Sequence, residues 1–242
     1  MSFRDFLNGS GIVFADGAMG TSLQSAGLKP GEIPETWSVK KPDVIRSVHA
    51  AYFDAGSDFV LANTFGANRV KYHGEEKLED VVSASIALAR EASRGARGRF
   101  VALDVGPTGK LLKPSGDFEF DRAYEAFADL VTLGASAGAD LIAIETMGDA
   151  YELKAAVLAA KENSSLPVLA TVALGEDGKL LTGADVETVA AILEGLRVDA
   201  VGLNCGLGPD LMLPYVERLA AATALPLFVK PNAGLPKLVD GE

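Results

Sequence analysis

A small set of acidic, amide and thiol side chains follows directly after short apolar runs of the sequence. The set consists of Asp16, Asn63, Asp104, Glu145, Asn204, Cys205 and Asn232. A carboxylate at such a position can hold a substrate ammonium or act as a base, and a thiolate is a good ligand for Zn²⁺. These residue types therefore indicate a site for a small polar molecule.

Cys205 is the only cysteine among the 242 residues, and it lies in the segment VGLNCGLGP. A catalytic zinc ion usually takes three protein ligands, so one cysteine does not make a zinc site by itself. A lone cysteine is most often a small apolar packing residue. His49, within a helical pattern, and His73, in a charged loop, are poorly placed as partners. The residues alone leave open whether Cys205 is a metal ligand or a packing residue.

Other strand-end residues also allow more than one interpretation. Asp16 opens the turn DGAMGT, whose backbone N–H groups could approach a carboxylate, although a plain turn capped by Asp16 fits equally well. Glu145 lies near the end of the run LIAIET, and three roles are open for it. It could hold an ammonium, act as a base or form a buried ion pair. For Lys230 an ion pair is favoured over a Schiff base. The turn GLGP after Cys205 could hold a phosphate, but no lysine or arginine lies near it in the sequence.

Seven apolar runs precede these residues, and helical patterns fill the intervals. The runs are 12–15, 59–62, 100–103, 141–144, 168–172, 200–203 and 227–229. Polar and apolar residues do not alternate within them, so both faces of each strand are predicted to be buried, as in a parallel sheet. Pro42 is typical of a helix start, and Asp149 and Asp185 are predicted N-caps of two later helices.

The repeated order of strand and helix predicts parallel strands joined by crossover helices. Seven such units favour a (β/α)₈ TIM barrel that is apparently truncated after strand 7, since an eighth unit would need roughly 30 to 50 more residues. We therefore interpret residues 1–242 as one barrel domain that lacks its C-terminal strand and helix. The alternative is an N-terminal element that fills the gap. In such barrels the active site lies at the carboxyl ends of the strands, where the polar set is found.

The composition excludes several classes of function. The net charge of −11 argues against a nucleic acid or an anionic membrane as partner, because both need a basic surface. No run of 18 apolar residues is present, and the first residues do not resemble a secretory signal. With 48% hydrophobic residues and one cysteine, we expect a globular protein of the reducing cytoplasm.

Seven segments of the chain, taken in order, resemble the homocysteine S-methyltransferase family. They are ADGAMGTSLQ, LANTFGANRVK, DVGPTGKLL, IETMGDAYELKAAVLAA, LTGADV, VGLNCGLGP and KPNAG. The likeness extends from Ile12 to Gly234 and is nearest to the homocysteine-binding domain of cobalamin-dependent methionine synthases. It implies a TIM barrel that binds homocysteine and activates its sulfur on zinc, so that the thiolate accepts a methyl group from methylcobalamin and gives methionine. Zinc suits this chemistry because it deprotonates a bound thiol.

The resemblance also implies roles for single residues. Cys205 corresponds to the family's first zinc cysteine, whereas the other two belong to a later GGCCG segment that this sequence lacks, so Zn²⁺ is expected to bind weakly or not at all. Asp16 and Glu145 correspond to carboxylates that hold the substrate amino group, and Asn232 to an asparagine near metal and substrate. The turn that contains Gly17, Ala18, Met19, Gly20 and Thr21 corresponds to the part of the family that holds the amino acid. The strand-end residues Asn63 and Asn204 complete the predicted substrate-binding set.

The resemblance further implies that methylcobalamin and methyltetrahydrofolate are bound by other domains of a parent protein. Alone, this chain is expected to show little turnover. Two alternatives stay open. The first is a homocysteine methyltransferase that uses betaine or S-methylmethionine, although the stretch from PETW to NRVK is closer to the cobalamin type. The second is a metal-free amino-acid-binding domain without catalysis.

Overall fold

A computed structural model describes residues 2–9, 11–93 and 98–234, so both ends of the predicted domain lie outside the described residues. The helices are α1 Phe3–Gly9, α2 Met19–Ser25, α3 Trp37–Lys40, α4 Pro42–Asp54, α5 Leu78–Ala92, α6 Phe120–Ser136, α7 Ala150–Asn163, α8 Val186–Gly195 and α9 Pro209–Ala222, with a 3₁₀ turn at Pro34–Thr36. The strands are β1 Phe59–Leu61, β2 Phe100–Val105, β3 Leu141–Met147, β4 Val168–Val172, β5 Ala200–Asn204 and β6 Leu227–Lys230.

The six strands form one parallel sheet in the order β1-β2-β3-β4-β5-β6. At least one helix lies between each strand and the next along the chain. The predicted α/β class and parallel pairing are therefore confirmed. Among the described residues, no helix combines the length and the apolar character that crossing a membrane requires.

The sheet is curled, because the strands at opposite ends of its order come together. The ring centroids of Phe59 in β1 and Phe228 in β6 are 5.8 Å apart. Five steps across a flat sheet would separate these strands by roughly 24 Å, at ~4.8 Å per step. The described strands therefore form a curled half-barrel.

Successive residues of each strand alternate between two apolar layers. Inside the curl, Leu61, Ala102 and Ala143 pack with Phe3 of α1. The intervening residues, of which Val60 is an example, pack against the surrounding helices. The same period of two continues into the strand ends and places a ring of polar residues on the inside: Asn63, Asp104, Glu145, Thr171, Asn204 and Lys230.

The first predicted strand, 12–15, is reduced to a single parallel bridge between Ala15 and Phe59. The backbone N–H groups of Asp58 and Phe59 both donate to the carbonyl oxygen of Phe14, so the segment still pairs with β1 on one side. Its outward side chains are uncovered, with Ile12 75% and Phe14 60% exposed. This run therefore makes one bridge to β1 instead of the full strand that the sequence predicted.

The predicted helix starts are confirmed. Pro42 is the first residue of α4. The Asp149 carboxylate accepts the N–H of Tyr151 at the start of α7, and Asp185 accepts that of Thr188 at the start of α8. Each cap supplies an acceptor for a backbone N–H that has no partner within its helix.

Alternate strands of the sheet begin with the same aspartate contact. Asp58, Asp140 and Asp199 directly precede β1, β3 and β5. Their carboxylates accept backbone N–H groups of the preceding apolar run, from Phe14, Val101 and Val168 respectively, at 2.7 to 2.8 Å. These bonds satisfy donors where each neighbouring run begins and so help to fix the register of adjacent strands.

Two residues before each of these aspartates, the backbone is left-handed. Gly56 (φ 107°) and Gly138 (φ 94°) occupy two of these positions, but the third is held by Arg197 (φ 56°). A side chain in this conformation carries a steric cost of about 1–2 kcal/mol that glycine avoids. Arg197 is exposed, so its side chain has little packing to offset that cost.

The substitution Arg197→Gly is therefore expected to stabilise the protein by about 0.5–1 kcal/mol, because relief of the backbone strain exceeds glycine's greater loss of chain entropy. Urea unfolding of both proteins measures this difference. Gly138→Ala is the matched control: its new methyl group would meet no atom within 4 Å, so only the backbone conformation should destabilise it. A lower unfolding free energy for R197G would contradict this account.

Candidate functional site

Lys230 lies among three carboxyl groups on the inside of the curl. Its Nζ is 3.3 Å from Asp16 Oδ1 and 4.0 Å from Glu145 Oε2. Asp104 lies on the same inner surface, on the strand next to that of Glu145, and its charge raises the pKa of Lys230. The lysine is therefore ion-paired, as the sequence favoured, and two predicted substrate-binding residues, Asp16 and Glu145, are brought together around it.

Burial dominates the acid–base properties of this cluster. It raises the pKa of Asp16 to about 6, even though Lys230 and the backbone N–H of Leu61 both favour the carboxylate. It also raises the pKa of Glu145, against the attraction of Lys230, and raises that of Asp104 well above its ordinary value. Burial alone would lower the pKa of Lys230, but the three surrounding carboxylates raise it instead. The lysine therefore stays charged.

Two buried oxygen atoms of this cluster, Asp104 Oδ1 and Glu145 Oε2, have no hydrogen-bond partner among the described residues. Asp16 differs, since its Oδ2 accepts the N–H of Leu61 at 2.9 Å. An unsatisfied buried carboxylate oxygen is costly. With three carboxyl groups and one lysine, the cluster is suited to a second cation that brings its own N–H donors.

Asn204 organises the neighbouring strand ends. It is fully buried, and its Oδ1 accepts both the Thr146 N–H at 2.8 Å and the Thr171 hydroxyl at 2.7 Å. Its Nδ2 donates to Thr146 Oγ1 at 2.7 Å and lies 3.3 Å from Cys205 Sγ. Each atom of the amide thus has a defined partner, which fixes the side chain as a structural link between three strands.

Cys205 lies beside the charged cluster rather than in apolar packing. Its backbone N–H donates to the carbonyl oxygen of Lys230 at 3.1 Å, and its sulfur is 3.8 Å from Thr146 Oγ1. The residue is partly exposed and belongs to none of the apolar clusters. Burial raises the pKa of its thiol, the Thr146 contact lowers it and the charge of Glu145 raises it.

Cys205 and Thr146 both have left-handed backbones, with φ values of 55° and 63°. For a β-branched residue such as threonine this is a marked outlier. It coincides with a shift in the register of β3 against β4 between Ile144 and Met147. The hydrogen bonds of Asn204 hold Thr146 in this conformation, which directs its hydroxyl towards the cysteine sulfur.

The turn DGAMGT is shaped by Tyr52 of α4. A Cβ at Gly17 would lie 2.8 Å from the Tyr52 hydroxyl, which itself donates to the carbonyl oxygen of Ala18 at 3.0 Å. Asp16 is buried beneath this turn, Met19 packs against a small apolar cluster, and three residues are exposed, namely Ala18, Gly20 and Thr21. The exposed backbone lies on the surface next to the buried carboxylate.

The two other predicted asparagines differ in their surroundings. Asn63 is buried, and its Nδ2 donates to Pro34 O at 2.9 Å and to Ser38 Oγ at 3.2 Å, so it secures the segment before α4. Asn232 is partly exposed, and its backbone N–H donates to Leu207 O at 3.0 Å, which places it beside the loop after Cys205. Their contact with substrate stays a prediction.

Thr146, Thr171 and a cavity were not anticipated from the sequence. The cavity has a volume of about 680 Å³ and lies between the loops that follow β2, β3 and β4, with Thr146 in its wall. Its lining includes Lys110, Glu152 and Leu181. The period of two along β4, from Leu169, would have identified Thr171 as a residue of the polar ring.

The histidines lie outside this site. His49 is fully buried within α4, its ring nitrogens have no partner among the residues that the structure describes, and burial lowers its pKa to about 4. His73 is exposed, with Nδ1 2.8 Å from Lys71 O. Among the described residues, no three or more His, Cys, Asp or Glu side chains are grouped to hold a metal ion. A zinc centre therefore does not fit these residues alone.

The family model described as homocysteine S-methyltransferase matches residues 13–242. The methionine synthase of Mycobacterium tuberculosis is 34% identical over 94% of this chain, and that of Mycobacterium leprae is 33% identical over the same share. The chain spans 20% of the length of each of these relatives.

Solved structures agree with this family match. The metallated form of the homocysteine methyltransferase MmuM from Escherichia coli superposes with a TM-score of 0.82 at 26% identity, over 96% of this chain and 87% of that one. The carboxyl transferase domain of Rhizobium etli pyruvate carboxylase gives a TM-score of 0.55 at 13% identity, over 94% of this chain and 36% of that one. The second likeness concerns the fold alone.

The single cysteine leads to a prediction about metal content. Purified chain, exposed to zinc and then dialysed, is expected to retain well below one zinc ion per chain, because one thiolate falls short of the three ligands that a catalytic zinc needs. Elemental analysis measures the content, and Cys205→Ser is the control for binding through this sulfur. One tightly held zinc per wild-type chain would show that other side chains, or a second copy, complete the set.

Proposed function

Since this chain belongs to the homocysteine S-methyltransferase family, we propose that it binds homocysteine and presents its sulfur for methylation to methionine. The observation that carries the proposal is the buried cluster of Asp16, Asp104 and Glu145 near Lys230, in which two oxygen atoms have no partner in the described part of the chain. The ammonium of an α-amino acid supplies both the positive charge and the N–H donors that this cluster lacks.

Each part of the substrate has a corresponding part of the site. The carboxylates of Asp16 and Glu145 hold the ammonium, and the exposed backbone at 18–21 faces the substrate carboxylate. Asn63, Asn204 and Asn232 complete the polar surroundings. The substrate sulfur then extends towards Cys205 and Thr146, on the side of the large cavity. Contacts at both ends fix the orientation of the substrate, which lowers the entropic barrier to reaction.

The proposal includes a zinc centre to which Cys205 contributes one thiolate. Because the described residues supply only this sulfur, the other ligands must come from outside them. We place them in a C-terminal unit that also completes residues 1–242 to a (β/α)₈ barrel. Two exposed apolar surfaces support such a unit, Ile12 and Phe14 on one edge and Val229 on the other.

We propose methylcobalamin as the methyl donor, carried by another domain of a larger cytoplasmic protein that also binds methyltetrahydrofolate. The matched relatives of greater length are methionine synthases. In addition, the described residues that line the cavity include no aromatic ring, whereas proteins that recognise quaternary ammonium groups usually surround them with aromatic rings. This makes betaine a poorer candidate.

A second candidate function is a metal-free domain that binds amino acids without catalysis. It is favoured by one observation, the single sulfur ligand among the described residues. Turnover separates the two candidates, because a protein that contains this chain and its complete zinc site methylates homocysteine only under the first.

Glu145→Gln is expected to weaken homocysteine binding by about 10- to 100-fold, since a hydrogen bond to a charged group contributes about 1.5–3 kcal/mol. Isothermal titration calorimetry measures the affinity. Glu35→Gln serves as the control, because it alters another buried carboxylate, one that accepts the N–H of Gly66 instead. Equal affinity for E145Q and wild type would assign Glu145 a purely structural role.

Amino-acid affinity is also expected to depend on pH through Asp16, whose pKa is about 6. Above pH 6 the carboxylate is charged and attracts the ammonium, and below pH 6 it is protonated and the attraction is lost. The dissociation constant should therefore rise about tenfold between pH 7 and pH 5 if only the charged form binds. Titration with methionine measures this, because its side chain does not ionise. D16N should bind weakly and without this dependence; a flat wild-type profile would exclude Asp16 as the partner of the ammonium.

A further inference from the structure

We infer that Asn204 is a positioning residue for the Glu145 carboxylate, because it holds a β-bulge at Thr146 that directs Glu145 into the charged cluster. This inference rests on the proposed function, since it assigns what keeps one of the two ammonium-binding carboxylates in place. Asn204 acts through the backbone of β3 rather than by contact with the substrate.

The end of β3 contains one residue more than the matching part of β4. The register of the two strands shifts between Ile144 and Met147, so that three steps along β3 correspond to two along β4, from Ala170 to Val172. An extra residue of this kind is a β-bulge, and bulges often redirect a side chain next to a functional site. Thr146, within this interval, has a left-handed backbone with φ 63°.

The bulge changes which residues of β3 face the inside of the curl. Leu141 and Ala143 pack in the inner apolar layer, and Glu145 continues this period of two into the charged cluster. A regular strand would also place Met147 on the inside. Met147 instead is fully buried in the outer layer, as Ile144 is. The bulge therefore lets Glu145 face the cluster while it keeps the methionine side chain out of it.

A single side chain from β5 holds this bulge at two points. Asn204 Oδ1 accepts the backbone N–H of Thr146 at 2.8 Å, and its Nδ2 donates to Thr146 Oγ1 at 2.7 Å. The hydroxyl of Thr171 on β4 donates to the same Oδ1 at 2.7 Å and so orients the amide. Asn204 is fully buried, so it offers no surface to a substrate.

The backbone conformation of Thr146 explains why the bulge needs this support. Left-handed dihedrals are a marked outlier for a β-branched residue, and they persist only where the surrounding structure enforces them. Loss of the Asn204 amide removes the partners of both the Thr146 N–H and its side-chain oxygen. Thr146 can then return to an extended conformation, which abolishes the bulge and displaces Glu145 from the cluster.

A double-mutant cycle on methionine affinity, measured by calorimetry, tests this inference. Asn204→Ala should weaken binding by about tenfold or more. In a T146G background the same substitution should cost less than about threefold, because glycine adopts the left-handed backbone without a side-chain penalty. T146A is the matched control, since it also lacks the hydroxyl but keeps that penalty, and N204A should again cost about tenfold. Equal losses in the T146G and T146A backgrounds would overturn the inference.

The crystal structure of the ligand-free N204A chain separates this inference from the proposed function. The register shift should be absent, and Glu145 Oε2 should lie farther from Lys230 Nζ than the present 4.0 Å. In the N204A/T146G chain both features should be restored. An unchanged bulge in N204A would contradict the positioning role. If the wild-type chain does not bind methionine, the proposed function fails, while these structures still decide what positions Glu145.

A milder variant covers the case in which N204A does not fold. Thr171→Val keeps the shape of the side chain and removes one of the donors to Asn204 Oδ1. Its affinity for methionine should fall about threefold or more in the T146A background and less in the T146G background. The same loss in both backgrounds, or a loss in neither, would overturn the inference, and its ligand-free structure is compared in the same way.

Discussion

The arrangement of this site depends on one buried positive charge, that of Lys230. Its partner Asp16 lies 214 residues away in the sequence and follows the segment that pairs with β1, whereas Lys230 ends β6. A buried ion pair is tolerated only when both members are held in place. The contact therefore requires the curl of the sheet, and the curl in turn brings carboxylates from three parts of the chain around a single lysine.

The curl of the sheet depends on apolar side chains that pack below the layer of charged residues. Phe59 and Phe228 meet across the inside of the sheet, and small residues such as Ala102 and Ala143 leave room for them. At Gly202 a Cβ would lie 1.7 Å from the carbonyl oxygen of Phe228, so no side chain could be accommodated there without displacing β6. The absence of a side chain at this position allows β6 to approach, and β6 carries the lysine.

Much of this architecture is local enough to be predicted from the sequence. Apolar runs identified β1 to β6, and the polar residue after each run identified Asp104, Glu145 and Asn204 as neighbours at one end of the sheet. The pairing of Lys230 with Asp16 could not be assigned, because it depends on how far the sheet curls. The hydrogen bonds of Asn63 to Pro34 and Ser38 could not be predicted either, since they depend on how the segment before α4 folds over the strand ends. The 12–15 run illustrates a further limit: its composition is that of a strand, but it makes only a single bridge to β1.

Lys230 also connects the two ends of the site. Its side chain reaches the carboxylates that are suited to an ammonium, while its backbone carbonyl accepts the N–H of Cys205. On the other side of the sulfur, Asn204 holds Thr146 in a left-handed conformation that costs of order 1–3 kcal/mol and persists only where the surroundings enforce it. The sulfur is thus fixed from both sides, by β6 and by β3 through Asn204. A molecule with an ammonium at one end and sulfur at the other would meet both features of the site at once, because the same strand end defines the position of each.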